Sequence, residues 1–514
     1  MIAGSQPNQF HLTARPTRRG KMSKLNVLLV TCFALVLASA TRAQSNPGVN
    51  DAELKGDYAF TFNGMTTGGG GASTVFAAVG RFTADGAGNL TNGELDTNSA
   101  QPQQRATALT FTGTYAIGAD HRGVMNLNIP GGGTLAFAMM ANGNAQFIEI
   151  DATGGIGEVG SGTMEKADTT AYNTAAIAGD YAFGFTGLDG FNDRTMLAGR
   201  FTANGLGAIT DGTADSSRSG IFAGAQFAAG TYAVADSTTG RGMMSLPPLV
   251  AGLAQNLNFI FYVVNAGKLF AMEIDAVTSV TPLLNGSVMH QKMPLGGFSN
   301  ASLNGGMVLS LTGQRVCSSG GSVAPNVLVG LLTGNGNGAL SLDYDENCGG
   351  LDTTLTGLSG TYIVNGNGRV TIGVGASAAN AYLVSSNQAF WVSSAFFGFA
   401  DPQAAGTFTN ASVMGRYAGY TSYAASLGTV IFSGEFTADG VIPTGTIIGT
   451  KDIGAPSGPS LGVPVSVPYY VSSTPTNGRG IIQGGSYIMY IVSPSKFVVI
   501  TMNDANPAVL VFEQ

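Results

Sequence analysis

From about residue 50 onward the chain is a succession of short runs in which apolar and polar residues alternate, broken by turn residues roughly every 8–12 positions. Lys55-Gly56-Asp57-Tyr58-Ala59-Phe60-Thr61-Phe62 is the first such run. A period of two sends successive side chains to opposite faces of a strand, so each run predicts a strand with one apolar face. In the first segment strands are expected to start near Gly56, Ser73, Asn89, Leu109, Gly123, Thr134, Ala145 and Gly160. No stretch after residue 43 keeps a helical period over about ten residues, so helices are not expected.

The pattern returns four times. A strand opened by a turn glycine begins at Gly56, Gly179, Gly305 and Gly415, spaced by 123, 126 and 110 residues. A second signature, Gly80-Arg81-Phe82-Thr83-Ala84-Asp85-Gly86, recurs at Gly199-Arg200-Phe201, Gly330-Leu331-Leu332 and Gly434-Glu435-Phe436. Its Asp-Gly or Asn-Gly step is a hairpin signal, because both residues tolerate positive φ. A third signature joins Gly113-Thr114-Tyr115 to Arg122-Gly123, Gly230-Thr231-Tyr232 to Gly240-Arg241-Gly242, and Gly360-Thr361-Tyr362 to Gly368-Arg369. In the last copy Tyr469-Tyr470-Val471 stands in its place, before Gly478-Arg479-Gly480. Paired apolar hairpins follow, such as Leu135–Met140 with Phe147–Asp151, and each unit is expected to close on a short strand: Ser161–Glu165, Gly286–His290, Gly406–Thr409 and Val509–Phe512.

These elements predict an all-β protein of four tandem, antiparallel, up-and-down units of about eight strands each, with a barrel favoured over a sandwich. The units are placed at 52–168, 175–292, 301–410 and 411–514, joined by linkers short enough to keep them in contact. The set GDYAF, GRFTADGAGNL, GTYAIG and HRG/GRG in tandem resembles a group of exported bacterial repeat proteins without an assigned activity. The strand layout is also similar to avidin-type and lipocalin-type barrels. That likeness of layout implies a lumen that is filled or holds one small ligand.

The N-terminal segment changes the expected location. Arg15, Arg18, Arg19, Lys21 and Lys24 precede an apolar run, Leu25–Ala40, and small residues offer cleavage after Ala40 or Ala43. That is the layout of a secretory signal peptide over residues 1–43, complete even if translation starts at Met22. The run is shorter than the roughly 20 residues of a spanning helix. Residues 1–43 hold six Lys/Arg and no acid, so cleavage takes the net charge from −7 to −13. Such a chain is a poor partner for nucleic acid or an anionic surface. Beyond the signal, Cys317 and Cys348 are expected to form a disulfide in an oxidising compartment.

Candidate chemistry is sparse. His121 falls in a turn and His290 in a closing strand, and neither recurs between units. Gly458-Pro459-Ser460-Leu461-Gly462 matches the nucleophile-elbow pattern but has no later histidine. Gly334–Gly338 reads as a hairpin turn, since a strand and not a helix follows it. Asp343, Asp345 and Asn347 alternate like calcium ligands, but without the loop glycine and final glutamate. Asp85 with Asn89, and Glu94 with Asp96, are explained by turn chemistry. Paired carboxyls at Glu149/Asp151 and Glu273/Asp275 share one strand face and are expected to be solvated or to meet the recurring Arg122 and Arg241. Tyr58, Tyr115, Tyr181, Tyr232, Tyr362 and Trp391 are core aromatics that could line a ligand site.

The expected function is therefore that of an exported, non-enzymatic repeat protein with a structural, adhesive or binding role at the cell surface, in the envelope or outside the cell. No cofactor or metal is implied, and the partner is an extracellular or envelope component. Two alternatives stand beside it: small hydrophobic ligands or sugars held inside the barrels, and an outer-membrane β-barrel.

Overall fold

In a computed structural model that describes residues 48–67, 73–152, 157–318, 321–375, 377–422, 430–474 and 477–514, the alternating runs form antiparallel strands. The expected signal peptide lies outside the described residues. The first repeat supplies Lys55–Thr67, Ser73–Asp85, Asn89–Ser99, Ala106–Ile117, Arg122–Asn128, Thr134–Met139, Ala145–Glu149 and Gly157–Lys166. Each pairs with the next, and the eighth returns to the first with Met164 opposite Phe60, which closes a barrel. Residues 304–402 and 414–513 close in the same way.

The second repeat spans 178–290 and closes where Arg194–Asn204 pairs with both Ala178–Leu188 and Ala208–Arg218. Its fourth station is split into Ile221–Phe227 and Gly230–Asp236, both paired to the third strand. One expected strand is corrected. The third barrel closes on Phe396–Pro402, which pairs with Met307–Gly313, and Gly406–Thr409 is not a strand.

Inward positions carry the apolar half of the alternation. Tyr58, Phe60, Phe62, Phe82, Phe137 and Phe147 are buried together in the first barrel. Each such side chain contributes roughly 1.5–3 kcal/mol on leaving water. Large rings need space across the ladder, and the recurring glycine of the Gly-Arg-Phe signature supplies it. Phe60 lies opposite Gly80, where an added Cβ would come within 2.4 Å of the ring. Phe183 lies opposite Gly199 in the same way, at 2.3 Å. The turn after this strand is fixed by its Asp or Asn. Asp85 accepts the backbone N–H groups of Ala87 and Asn89 at 2.7 and 3.0 Å, and Asn204 and Asn335 repeat the arrangement.

Outward positions explain why so hydrophobic a chain carries so few charges. Ala59, Val75, Ala77 and Val79, on the first two strands of barrel one, pack against Ile260, Tyr262, Val264 and Met272, on the sixth and seventh stations of barrel two. Ala182, Met196 and Ala198 meet Tyr382, Val384, Phe390 and Val392. Val308, Val327 and Val329 meet Ile488, Tyr490, Val492 and Val498. Ile431 of barrel four then meets Ala136, Ile148 and Val159 of barrel one. One face of each barrel thus takes the complementary face of the next, and the fourth contact closes the four barrels into a ring. A head-to-tail contact that closes leaves no free end.

Candidate functional site

Each seam of the ring is pinned by the arginine of the Gly-Arg signature. Arg241 of barrel two donates two hydrogen bonds to Asp96 of barrel one, both at 2.8 Å, and the Tyr262 hydroxyl donates to the same carboxylate at 2.8 Å. Arg369 and Tyr382 hold Asp215 at 2.7, 2.9 and 2.5 Å. Arg479 and Tyr490 hold Asp345 at 2.8, 2.7 and 2.8 Å. At the closing seam Arg122 reaches Asp452 at 2.7 and 2.8 Å, and Ala138 stands where the other barrels carry the tyrosine. Burial raises the Asp452 carboxyl above the usual range, with Arg122 opposing it.

This corrects the expected partners of Arg122 and Arg241, which bridge to a neighbouring barrel and not to Glu149 or Glu273. It also gives the alternating Asp343, Asp345 and Asn347 a task. All three bond to the fourth barrel, through Asn477, Arg479 and the carbonyls of Thr501 and Asp504.

The tyrosines singled out as ligand-lining hold the barrel ends. The Tyr115 hydroxyl donates to the carbonyls of Leu54 and Asp51, Tyr232 to Ile177, and Tyr362 to Leu303 and Asn300. Each ties the fourth station to the short 3-10 turn that precedes its barrel. Tyr469 does the same for barrel four, although Gly-Thr-Tyr is absent there. Tyr58 and Tyr181 donate to Gly143 and Ala266, in the turn before the seventh station.

Other candidates are also engaged. His121 contacts Glu53 at 2.7 Å, and His290 lies edge-on to Tyr181. Ser460 begins a strand instead of an elbow. The Cys317 and Cys348 sulfurs lie at disulfide distance, with Cα atoms 5.6 Å apart. Among the described residues no cluster of His, Cys, Asp and Glu is placed to hold a metal ion, and no helix is long and apolar enough to cross a membrane.

Beside a polar cavity of about 790 Å³ that borders barrels one and two, lined by Asp57, Arg81, Glu94, Thr110 and Thr238 among others, three further cavities stand out among the described residues. One of about 460 Å³ lies where all four barrels meet, lined by Asn63, Gln146, Thr186, Ser287, Thr312 and Tyr420 among others. Its charges are paired across barrels, Lys268 with Glu165 at 2.6 Å and Lys496 with Asp401 at 2.9 Å. A second, of about 170 Å³, lies in the third barrel beside Trp391, with the Arg315–Glu346 ion pair at its edge. The third, of about 470 Å³, opens into the first barrel. Its wall includes Phe60, Phe62, Phe76, Leu109, Leu127 and Phe147, and its polar side chains are Glu149, Glu158, Thr97, Gln103, Gln104 and Arg105.

That combination of an apolar wall with few polar groups is the usual make-up of a small-molecule site. Burial, then Asp151 and Glu158, raises the Glu149 carboxyl well above the usual range, and burial raises Glu158. Sequence reasoning had paired Glu149 with Asp151 but missed Glu158, Leu109 and Leu127. Their alternation with inward residues of the same strands was the available signal.

No family model matches the chain, and no curated protein matches it. Among solved structures it is similar to a protein described as an AttH from Nitrosomonas europaea, at 9% identity, 46% of this chain, 92% of that one and a TM-score of 0.17. A DUF3598-family protein of unknown function from Nostoc punctiforme matches at 11% identity, 57% and 97% coverage, and a TM-score of 0.14. A tryptophan-to-alanine mutant of the vaccine antigen transferrin-binding protein B from Haemophilus parasuis matches at 10% identity, 74% and 85% coverage, and a TM-score of 0.16. At such scores the likeness carries no argument.

Proposed function

We propose that this is an exported, non-enzymatic binding protein of the cell envelope or its surroundings, a ring of four barrels that holds a small, largely apolar ligand in the first. The observation that carries the reading is the cavity of about 470 Å³ in the first barrel, walled by phenylalanine and leucine. The other barrels act as its rigid frame through the four Arg–Asp seams. An outer-membrane barrel would need an apolar band facing lipid. Here the outward apolar side chains of the first, second, sixth and seventh stations are buried between barrels.

Fluorescence titration with the neutral, apolar probe N-phenyl-1-naphthylamine tests the proposal. Saturable binding of one probe per chain is expected, with loss of about tenfold or more in Ala78→Phe, which fills the lumen, or in Leu109→Trp at its wall. A wild-type chain without saturable binding, or folded variants that bind as well as wild type, would overturn it.

A further inference from the structure

We propose that the first-barrel cavity selects ligands with an apolar body and one positively charged, amine-type head group. This names the ligand class of the site above and rests on that reading.

The lumen of a small barrel is ordinarily filled by apolar side chains. Here Glu149 on the seventh strand continues the inward row of Ala145 and Phe147, and Glu158 stands on the adjoining eighth strand. Both border the cavity. Beyond them Asp151 accepts the Thr134 N–H at 2.5 Å, and Gln104 donates to Glu158 at 3.3 Å. Arg105 is the cation at this mouth, but its guanidinium donates to the Ile274 carbonyl of barrel two at 2.6 Å. Two carboxyls therefore border the cavity, with Asp151 behind them, while its one arginine is turned outward, over a wall of phenylalanine and leucine.

A carboxylate beside apolar surface is costly unless a cation meets it. Carboxylates offer only acceptors, and a protonated amine offers only donors. Raised by burial, these carboxyls ionise when such a cation meets them, whereas an anionic or uncharged head supplies no countercharge.

The other barrels sharpen the comparison. By pairing register, Glu273 of barrel two occupies the station of Glu149, opposite Phe259 where Glu149 faces Leu135. It is fully buried beside a packed aromatic core. Ser393 and Thr501 hold the same station in barrels three and four. The first barrel combines the acid with open volume.

Dodecylamine, dodecanol and dodecanoate, titrated against bound N-phenyl-1-naphthylamine near pH 7.5 on the full chain, test the inference. Dodecylamine is expected to displace the probe at about tenfold lower concentration than dodecanol, the scale of a charge-assisted hydrogen bond, with dodecanoate weakest. In Glu149→Gln/Glu158→Gln, and partly in Glu158→Gln alone, the advantage of dodecylamine over dodecanol should disappear. Equal displacement by amine and alcohol in the wild type, or a preference that survives the double variant, would overturn the inference and leave the site standing. Failure of the probe and all three to bind would remove the site itself.

Discussion

Asp345 of the third barrel receives both the Arg479 guanidinium and the Tyr490 hydroxyl of the fourth, with no exposed surface on its own side chain. Removing one partner of such a pair strands the other, at a cost of about 3–5 kcal/mol. Asp345→Ala should therefore lose about that much stability in urea unfolding. Tyr490→Phe, which removes one neutral donor, should lose about 1 kcal/mol. Equal, small losses would show that the seam is not held by this carboxylate.

Glu273 provides a pH test. Burial, and then its neighbour Asp275, raises its carboxyl to about 10. A carboxyl raised on folding is protonated in the native state and ionised in the unfolded one between these two values. The unfolded state then binds fewer protons, so stability falls as pH rises, by about 1.4 kcal/mol per unit for this one group. Glu273→Gln removes the ionisation. Unfolding free energies at pH 5, 7 and 9 should fall less steeply in the variant, with the gain over wild type growing toward pH 9. Parallel curves would contradict a raised carboxyl.

The Gly80–Phe60 contact predicts a cost of overpacking. Gly80→Ala places a methyl against the Phe60 ring and should destabilise by about 1–3 kcal/mol. Gly80→Ala/Phe60→Leu should recover part of that loss, measured by denaturant unfolding. Additive losses would mean that the ring does not set the glycine.

Cys317 and Cys348 are separated by 31 residues and join the end of the third barrel's first strand to the end of its third. On the chain-entropy account a loop of that length contributes about 3.7 kcal/mol. Cys317→Ser/Cys348→Ser should lose about that amount and unfold like the reduced wild type. An unchanged midpoint would show that the link contributes nothing.

Strand alternation and Asp-Gly or Asn-Gly turns made the barrels legible in the sequence, because both are local. The third closing strand was misplaced. Phe396-Phe397-Gly398-Phe399 does not alternate, and its aromatics are divided between the barrel and its neighbours. The ring itself was not legible, because Arg241 and Asp96 are 145 residues apart and Arg122 and Asp452 are 330 apart. Tyr115 and Tyr362 read as core aromatics that could also line a ligand site, and their hydroxyl bonds to backbone carbonyls, which join residues about 60 apart, had no local signal. The first-barrel cavity depends on summed side-chain volume, which no local pattern carries.

The most direct test is to crystallise the protein with an alkylamine brominated at its far end and locate the bromine by anomalous scattering. The account predicts one strong peak inside the first barrel, against its phenylalanine and leucine wall, with the amine beside Glu149 and Glu158. A peak in the four-barrel central cavity or the third barrel, or none in the first barrel, would contradict it.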